Sequence, residues 1–423
     1  MGVTAIKPGI CTTVQDRGRI GYLGSGFSPS GVMDARAFRI ANLLVDNPPD
    51  APVLEFCLAG PTLRFTTNTF VAITGGNFQP KLDGKPVPMY MAVLVRRGSV
   101  LSFSAPKTGM YGYLAIAGGS IDVPEVMGSR STNLKCGIGG WKGRALTCGD
   151  YLPFVTRNID FLPNMGSHAV DYDDDFYGFD EESITLRVVP GPQEDMFTKQ
   201  GIETFYGQPY TTTSRCDRMG FRLDGPEVDT YDGSDIISDG IAYGAVQIPA
   251  DGRPIIMLSD RQTTGGYAKI GTVCSVDVPK LVQCTPGRTI RFQPITVQEA
   301  QDLYREESRH MKALAKMVKR PCYGGISPRR TARRLTPILE AQAKATAASN
   351  QTLWIELGRT EQVRQVADEP HEPDERAGDE DGAGRACSPT APAAGAPTAP
   401  ANPAPAASGA APTSATMPNG SNR

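Results

Sequence analysis

Residues 247–267 read Q-I-P-A-D-G-R-P-I-I-M-L-S-D-R-Q-T-T-G-G-Y, and the turn inside them, Asp251-Gly252-Arg253-Pro254, decides the fold. The same turn chemistry stands earlier as Asp83-Gly84-Lys85-Pro86. It is the middle of three echoes that come in one order. Leu58-x-Gly60-Pro61-x-Leu63 precedes it and matches Leu223-x-Gly225-Pro226-x-Val228. Gly98-Ser99-Val100-Leu101-Ser102-Phe103 follows it and matches Gly287-Arg288-Thr289-Ile290-Arg291-Phe292. One Gly/Pro match is weak, but three in sequence indicate an internal repeat. From Asp83 to Gly98 is 15 positions and from Asp251 to Gly287 is 36, so the second copy holds about 21 residues more, within or just after the opening stretch. The expectation is a mainly β chain of two related barrels or sandwiches, the second elaborated for a site.

The rest of the stretch fits that use. Ile255 to Leu258 is an apolar run of strand length, flanked by Gln247, Asp260, Arg261, Gln262, Thr263 and Thr264. Gly265-Gly266 then allows positive φ or a close approach of the backbone. The plainer alternative, a strand followed by a polar hairpin turn, is the commoner use of such a sequence.

Outward from here, residues 1–155 read as short strands punctuated by Gly and Pro. Strand candidates are Val53–Cys57, Phe70–Ile73, Met91–Val95, Val100–Phe103 and Tyr111–Ala117. Asp34 to Val45 is the exception: Ala37, Phe38, Ala41, Leu44 and Val45 share a helical face, Asp34 caps it, and Asn47-Pro48-Pro49 stops it. Residues 156–183 carry His168 and an acidic, aromatic run, most simply a linker, although Phe176, Tyr177 and Phe179 have the chemistry to pack on a neighbour. A second strand-rich block occupies 184–296. Thr296-Val297-Gln298-Glu299 is a capping box that opens a helix over 297–318, with Val297, Ala300, Leu303, Tyr304, Met311 and Leu314 on its apolar side. Residues 319–367 form a basic connector with room for a helix or two, and 368–423, first acidic and then rich in Pro, Ala, Ser and Thr, are expected to be disordered.

Composition narrows the function. A net charge of −2 points to neither nucleic acid nor an anionic membrane as partner. No apolar run is long enough to cross a bilayer, and the N-terminus lacks a signal core, so a cytoplasmic location is expected. The nine cysteines include no C-x-x-C; Cys57, Cys136, Cys148, Cys274 and Cys284 lie in apolar or strand-like surroundings and read as reduced, mostly buried thiols. No ligand pairs stand at metal spacing, so no metal site is expected. The three histidines, His168, His310 and His371, fall outside both β blocks, which argues against a Ser-His-Asp or Cys-His device. No P-loop occurs. What remains are Arg, Asp, Gln and Ser/Thr clusters at turns: 15–19 with 30–34, 128–132, and 213–220. Singly, each reads as an Arg tying loops together. Together with the opening stretch they offer guanidinium forks for a carboxylate or phosphate, and hydroxyls and amides for a carbonyl.

These clusters, in this order, resemble a known family. V-Q-D-R-G-R (14–19), S-G-V-M-D (30–34), A-N-L-L-V-D-N-P-P-D-A-P-V-L-E (41–55), G-P-T-L-R-F (60–65) and G-S-R-S-T (128–132) carry the likeness in the first half. In the second half it is carried by G-P-Q (191–193), F-T (197–198), S-R-C-D-R-M-G-F-R-L-D-G-P (214–226), S-D-G-I-A-Y-G-A-V-Q-I-P (238–249) and S-D-R-Q-T-T-G-G-Y (259–267). The family is that of the 5-oxoprolinase C subunit, or KipA, related to the carboxyltransferase domain of urea carboxylase and also known as allophanate hydrolase subunit 2. The likeness covers about residues 3–300; the acidic linker and the chain after about 318 depart from it.

The resemblance implies two cyclophilin-like β-barrel domains. It implies two partners, the KipI-like B subunit and the A subunit of 5-oxoprolinase, with which 5-oxo-L-proline is opened to L-glutamate at the expense of ATP bound by the complex. Two other readings stay open: the carboxyltransferase component of a urea or amide carboxylase, which would draw on biotin carried by a partner, and a non-catalytic regulator of a sensor kinase. For the first reading, Gln262, Thr263 and Thr264 are expected to hydrogen-bond the substrate carbonyl or a phosphorylated intermediate. Asp260 would orient an Arg or act as a base, with Arg261 beside it, and Tyr267 would form a wall. Arg130, Arg215 or Arg218 would hold an anionic group, with Ser129, Gln247 and Asp34 completing the substrate contacts.

Overall fold

In a computed structural model the chain is described over residues 1–155, 165, 168–170 and 174–318. The expectations for 319–367 and 368–423, and for most of 156–173, lie outside the described residues.

The first half is built from twelve short strands. They begin with β1 (Gly2–Lys7), β2 (Cys11–Gln15), β3 (Val53–Cys57), β4 (Thr62–Phe65), β5 (Thr69–Gly75) and β6 (Lys81–Leu82). There follow β7 (Lys85–Pro86), β8 (Ala92–Val95), β9 (Val100–Ser102), β10 (Tyr111–Ile116), β11 (Ser120–Ile121) and β12 (Tyr151–Val155). They make two antiparallel sheets, ordered β11-β12-β1-β4-β9-β6-β7 and β2-β3-β10-β5-β8. All five strands expected from the sequence are present.

The period-2 alternation of these strands decides what each sheet face meets. From β3, Leu54 and Phe56 enter a core with Leu63, Phe65, Leu101 and Leu114 between the two sheets. Val53, with Cys57 packed against it, joins a different core on the opposite face, as do Phe70 and Ala72 of β5 and Tyr111, Tyr113 and Ala115 of β10. β5 and β10 are therefore covered on both sides, which is why their sequences run apolar without a polar alternate.

The second face is covered by α1 (Ala35–Leu44) and by the second half of the chain. Asp34 caps α1 as expected, accepting from the backbone N–H of Arg36 and Ala37 at 3.0 and 2.9 Å. The acidic segment adds a single turn, α2 (Asp174–Tyr177). Tyr177 there is buried and stacks on Phe179, while Arg36 sits over the Phe176 ring, so this end of the segment is packed.

The second half contains β13 (Ser183–Pro190), α3 (Lys199–Gly207), β14 (Tyr210–Cys216), β15 (Gly220–Asp224), β16 (Asp235–Gly240) and β17 (Ala245–Gln247). Next come β18 (Ile255–Met257), β19 (Thr264–Tyr267), β20 (Lys269–Val273), α4 (Val278–Val282) and β21 (Thr289–Pro294). Seven of its strands close a barrel in the order β13-β20-β17-β18-β15-β14-β21, with β13 and β21 parallel at the seam. Leu186, Phe221, Leu223, Val246, Ile256, Ile270 and Phe292 fill it, and Phe205 of α3 stacks on Phe292 at 4.3 Å between centroids. β16 and β19 stay outside the barrel as a two-stranded ribbon.

Two of the three echoes occupy matching turns. Asp83-Gly84 closes the β6–β7 hairpin and Gly252 the β17–β18 connection, all with positive φ. Gly98 and Gly287, both at φ 90°, lead into β9 and β21. The first echo does not match: Leu58 is exposed in a left-handed turn after β3, whereas Leu223 is buried inside β15.

Other expectations need correction. Gly265 and Gly266 form no turn; they lie in β19 without positive φ, paired with β16. Cys136 and Cys148 are exposed, because they sit on loops, while Cys274 and Cys284 are buried. The capping box opens α5 (Val297–Val318), where Thr296 N–H donates to Glu299 at 2.7 Å. Only the far end of that helix is covered, by Leu314 and Val318, and Val297 and Tyr304 face solvent. Among the described residues no helix is long and apolar enough to cross a membrane.

Candidate functional site

The signature stretch runs along one end of the barrel. β17 delivers Gln247, a tight turn returns the chain into β18, and Leu258 to Thr263 cross over to β19 of the ribbon. A cavity of about 180 Å³ opens between the barrel wall and the ribbon. Arg215, Asp217, Met219, Gly220, Arg222, Ile255 and Met257 line it from the wall; Gln247, Gln262, Gly265, Gly266 and Tyr267 line it from the signature.

Gly265 is required here for closeness rather than for a turn. A Cβ on Gly265 would meet Ile241 Cδ1 at 2.7 Å and Gln247 Nε2 at 2.8 Å. Gln247 is buried, and its amide reaches only the carbonyl of Tyr267, at 3.5 Å, which leaves most of its hydrogen-bonding capacity unused. Arg215 and Arg222 have no carboxylate partner among the described residues. The one carboxylate lining the cavity, Asp217, is held by the N–H groups of Met219 and Gly220 at 2.8 and 3.1 Å. Two uncompensated guanidiniums and two carboxamides around a small cavity suit a ligand carrying both a carboxylate and an amide.

Several of the candidate residues fall elsewhere in the second half or at the joint between halves. Arg218 bridges the halves: it donates to Asp260 at 2.8 Å, to the carbonyl of Gly31 at 2.5 Å, and to Glu55. Glu55 also accepts from Met33 N–H at 2.7 Å and the Tyr113 hydroxyl at 2.8 Å. Burial pushes the Glu55 carboxyl up and Arg218 opposes this. Burial also works against the charge of Arg218, and Asp260 and Glu55 more than offset it. Asp260 thus orients an arginine. Arg261 is buried and donates to the carbonyls of Ile241 at 2.9 Å and Leu258 at 3.3 Å, with its guanidinium 5.7 Å from the Tyr243 ring. It fastens the ribbon to the barrel and does not reach the cavity. Thr263 and Thr264 are not among the lining residues either.

Asp34 is wholly buried and fully engaged. Besides capping α1 it accepts from the Tyr177 hydroxyl and from Gln283, both at 2.9 Å, so it is a structural hub with no lone pair open to a substrate. Ser129 is buried and donates to Asp16 at 2.6 Å. Arg130 is tied to the carbonyl of Val123 at 3.3 Å and to Glu125 at 3.5 Å. Asp16 gathers Gly18 N–H, Arg130 N–H and the hydroxyls of Ser129 and Ser131, while the buried Arg19 donates to the carbonyls of Val126 and Ser131. In both clusters the loop-tying use has won.

Asp217 lay inside the 213–220 cluster, whereas sequence reasoning singled out none of Arg222, Glu55 and Gln283. The signal for Glu55 was available: a carboxylate in the middle of the apolar strand Val53–Cys57 needs a partner from outside the sheet. Gln283 is anchored across the halves by Met110 N–H, Tyr111 N–H and Tyr111 C=O, a long-range arrangement with no local signature.

Comparison with known proteins places these features in a family context. The carboxyltransferase domain, subdomain A and B, family matches residues 25–294. The chain is 37% identical over 310 residues to the C subunit of 5-oxoprolinase from Escherichia coli (strain K12), covering 73% of this chain and 96% of that one. It is 34% identical over 329 residues to urea amidolyase of Saccharomyces cerevisiae, covering 74% of this chain and 18% of that one. Among solved structures, K. lactis urea amidolyase aligns with a TM-score of 0.65 at 31% identity, over 73% of this chain and 20% of that chain.

Proposed function

The chain belongs to the carboxyltransferase domain, subdomain A and B, family, and from that premise we propose that it is the C subunit of a 5-oxoprolinase that opens 5-oxo-L-proline to L-glutamate. The observation that carries this reading is the cavity between barrel and ribbon, with its unpaired Arg215 and Arg222 beside Gln247 and Gln262. 5-Oxo-L-proline has one carboxylate and one lactam. The guanidiniums suit the carboxylate, and the carboxamides suit the N–H and C=O of the ring. Tyr267 forms a wall.

Ring opening adds water across the lactam carbonyl and breaks its C–N bond. The residues at the cavity bind and orient, and Asp217, held by two backbone donors, is not placed as a free base. We assign the consumption of ATP to the complex formed with the KipI-like B subunit and the A subunit, and place that complex in the cytoplasm, where the seven described free cysteines would stay reduced.

Co-expression with both partner subunits and measurement of ATP-dependent glutamate release tests the reading. Arg215→Ala combined with Arg222→Ala should raise KM for 5-oxo-L-proline at least tenfold, and Gln247→Ala should lower kcat/KM by about as much, the size of a lost charged or buried hydrogen bond. Wild-type rates in both variants would sink the assignment of this cavity. The likeness to urea amidolyase favours one rival, a carboxyltransferase served by biotin on a partner chain; a streptavidin-reactive protein co-purifying with the chain, together with turnover of urea, would favour it.

A further inference from the structure

A second cavity, of about 110 Å³, lies on the seam between the halves and is separate from the one assigned above. Three segments distant in sequence supply its walls. Lys107, Thr108 and Gly109 come from the β9–β10 loop, Tyr177 and Phe179 from the acidic segment, and Lys280, Cys284, Thr285 and Arg288 from α4 and the chain after it.

Three cations converge there, and none is well neutralised. Lys107 is exposed and forms no ion pair with a described residue. Lys280 stands 3.7 Å from Asp277 Oδ1, but both oxygens of Asp277 are already bound by Arg187, at 2.5 and 2.8 Å. Arg288 donates to the carbonyls of Gly178 and Phe179, neutral acceptors that fix its plane without cancelling its charge. Thr108 and Thr285 add one threonine each from two of the three segments, and the stacked rings of Tyr177 and Phe179, 5.2 Å apart, close one side. Asp34, a second buried carboxylate on this seam, is spent on Tyr177, Gln283 and α1.

We propose that this cavity binds a phosphate group, as free orthophosphate or as the phosphoryl end of a larger molecule. Two ammonium groups and a guanidinium arriving from separate backbones match a tetrahedral polyanion better than a planar carboxylate, which one fork would satisfy. The cavity admits a compact head only. Because Lys107 belongs to the first half and Lys280 and Arg288 to the second, the anion would join them next to Gln283, the residue already bonded across the seam.

Isothermal titration of the full chain with orthophosphate, and separately with ADP, at constant ionic strength set by chloride, tests this. Saturable binding is expected, weakened at least tenfold by Lys107→Ala and by Lys280→Ala, each lysine supplying one charged hydrogen bond. Circular dichroism checks that both variants fold. Arg215→Ala should bind as wild type, which separates failure here from failure of the proposed substrate cavity. Binding of orthophosphate alone identifies the free ion as sufficient; binding of ADP without orthophosphate identifies a phosphoryl end. Absence of saturable binding by either probe, or wild-type affinity in both lysine variants, overturns the proposal.

Discussion

Arg218→Ala probes the joint on which both halves depend. The guanidinium is 11% exposed, and its partners Glu55 and Asp260 are 3% and 14% exposed. Removing it leaves Glu55 as a buried carboxylate with only Met33 N–H and the Tyr113 hydroxyl for compensation. Breaking one side of a buried pair costs about 3–5 kcal/mol. At about 2–4 °C per kcal/mol for a chain of a few hundred residues, the midpoint should fall by roughly 6–20 °C. The loss should depend on pH, with a definite sign. The folded-state pKa of Glu55 is already raised by burial and rises further without Arg218. The unfolded carboxyl releases its proton near pH 4.3. Above that pH the folded variant holds a proton the unfolded chain has lost, so its stability falls as pH rises toward the folded pKa. The deficit relative to wild type should therefore be smaller at pH 5 than at pH 8. Adding Glu55→Gln should return part of it, because the amide oxygen still accepts from Met33 and Tyr113. Urea unfolding of wild type, both single variants and the double variant measures all three effects. A loss below about 1 kcal/mol, or one equal at pH 5 and pH 8, refutes the claim that this is a desolvated pair holding the halves together.

Three further outcomes follow from the same geometry. Asp34→Ala should cost at least about 3 kcal/mol, from the lost cap of α1 and the orphaned Tyr177 hydroxyl and Gln283 amide, while leaving KM for 5-oxo-L-proline unchanged; a raised KM at intact stability would return Asp34 to the substrate site. Gly265→Ala should fold normally, since its backbone needs no positive φ, yet lower kcat/KM about tenfold by displacing Gln247 and Ile241; activity equal to wild type would mean Gln247 does not touch substrate. Burial raises the thiols of Cys284 and Cys274 to about 12 and about 11. Unfolded thiols ionise near pH 8.5, so the unfolded state binds fewer protons above that pH and stability falls up to the folded values. Melting curves from pH 8 to 11 should show this fall, reduced in Cys284→Ala once its cavity cost is subtracted at pH 7.

The five strands expected in the first half were legible because Gly- and Pro-containing turns separate their apolar runs. α1 was legible for a similar reason, its cap and its stop both lying within the segment. What was not legible is what depends on a partner distant in sequence. Asp34 has the chemistry of a ligand contact, and only the arrival of Tyr177 and Gln283 makes it a structural hub. Thr264 to Tyr267 has the composition of a turn, and only β16, some 25 residues earlier, makes it a strand. Within residues 247–267, Asp260 and Arg261 hold the fold while Gln247, Gln262 and Tyr267 line the cavity. Spacing along one chain cannot separate these uses, since a buried carbonyl and a substrate carbonyl attract the same side chains.

That mixture follows from how the ribbon is held. An isolated two-stranded sheet is marginal in water, and the register of β16 on β19 shifts between Asp235 and Asp239, which weakens it further. Its attachment to the barrel must come from elsewhere: Arg261 to the carbonyl of Ile241, Lys269 to Asp239 at 3.2 Å, and Ile241 packed over Gly265. The residues next to the cavity in sequence are thus the ones that fix its ribbon wall in place. On the substrate site proposed above, Arg261, which does not line the cavity, would act only through the position it gives Gln262 and Tyr267.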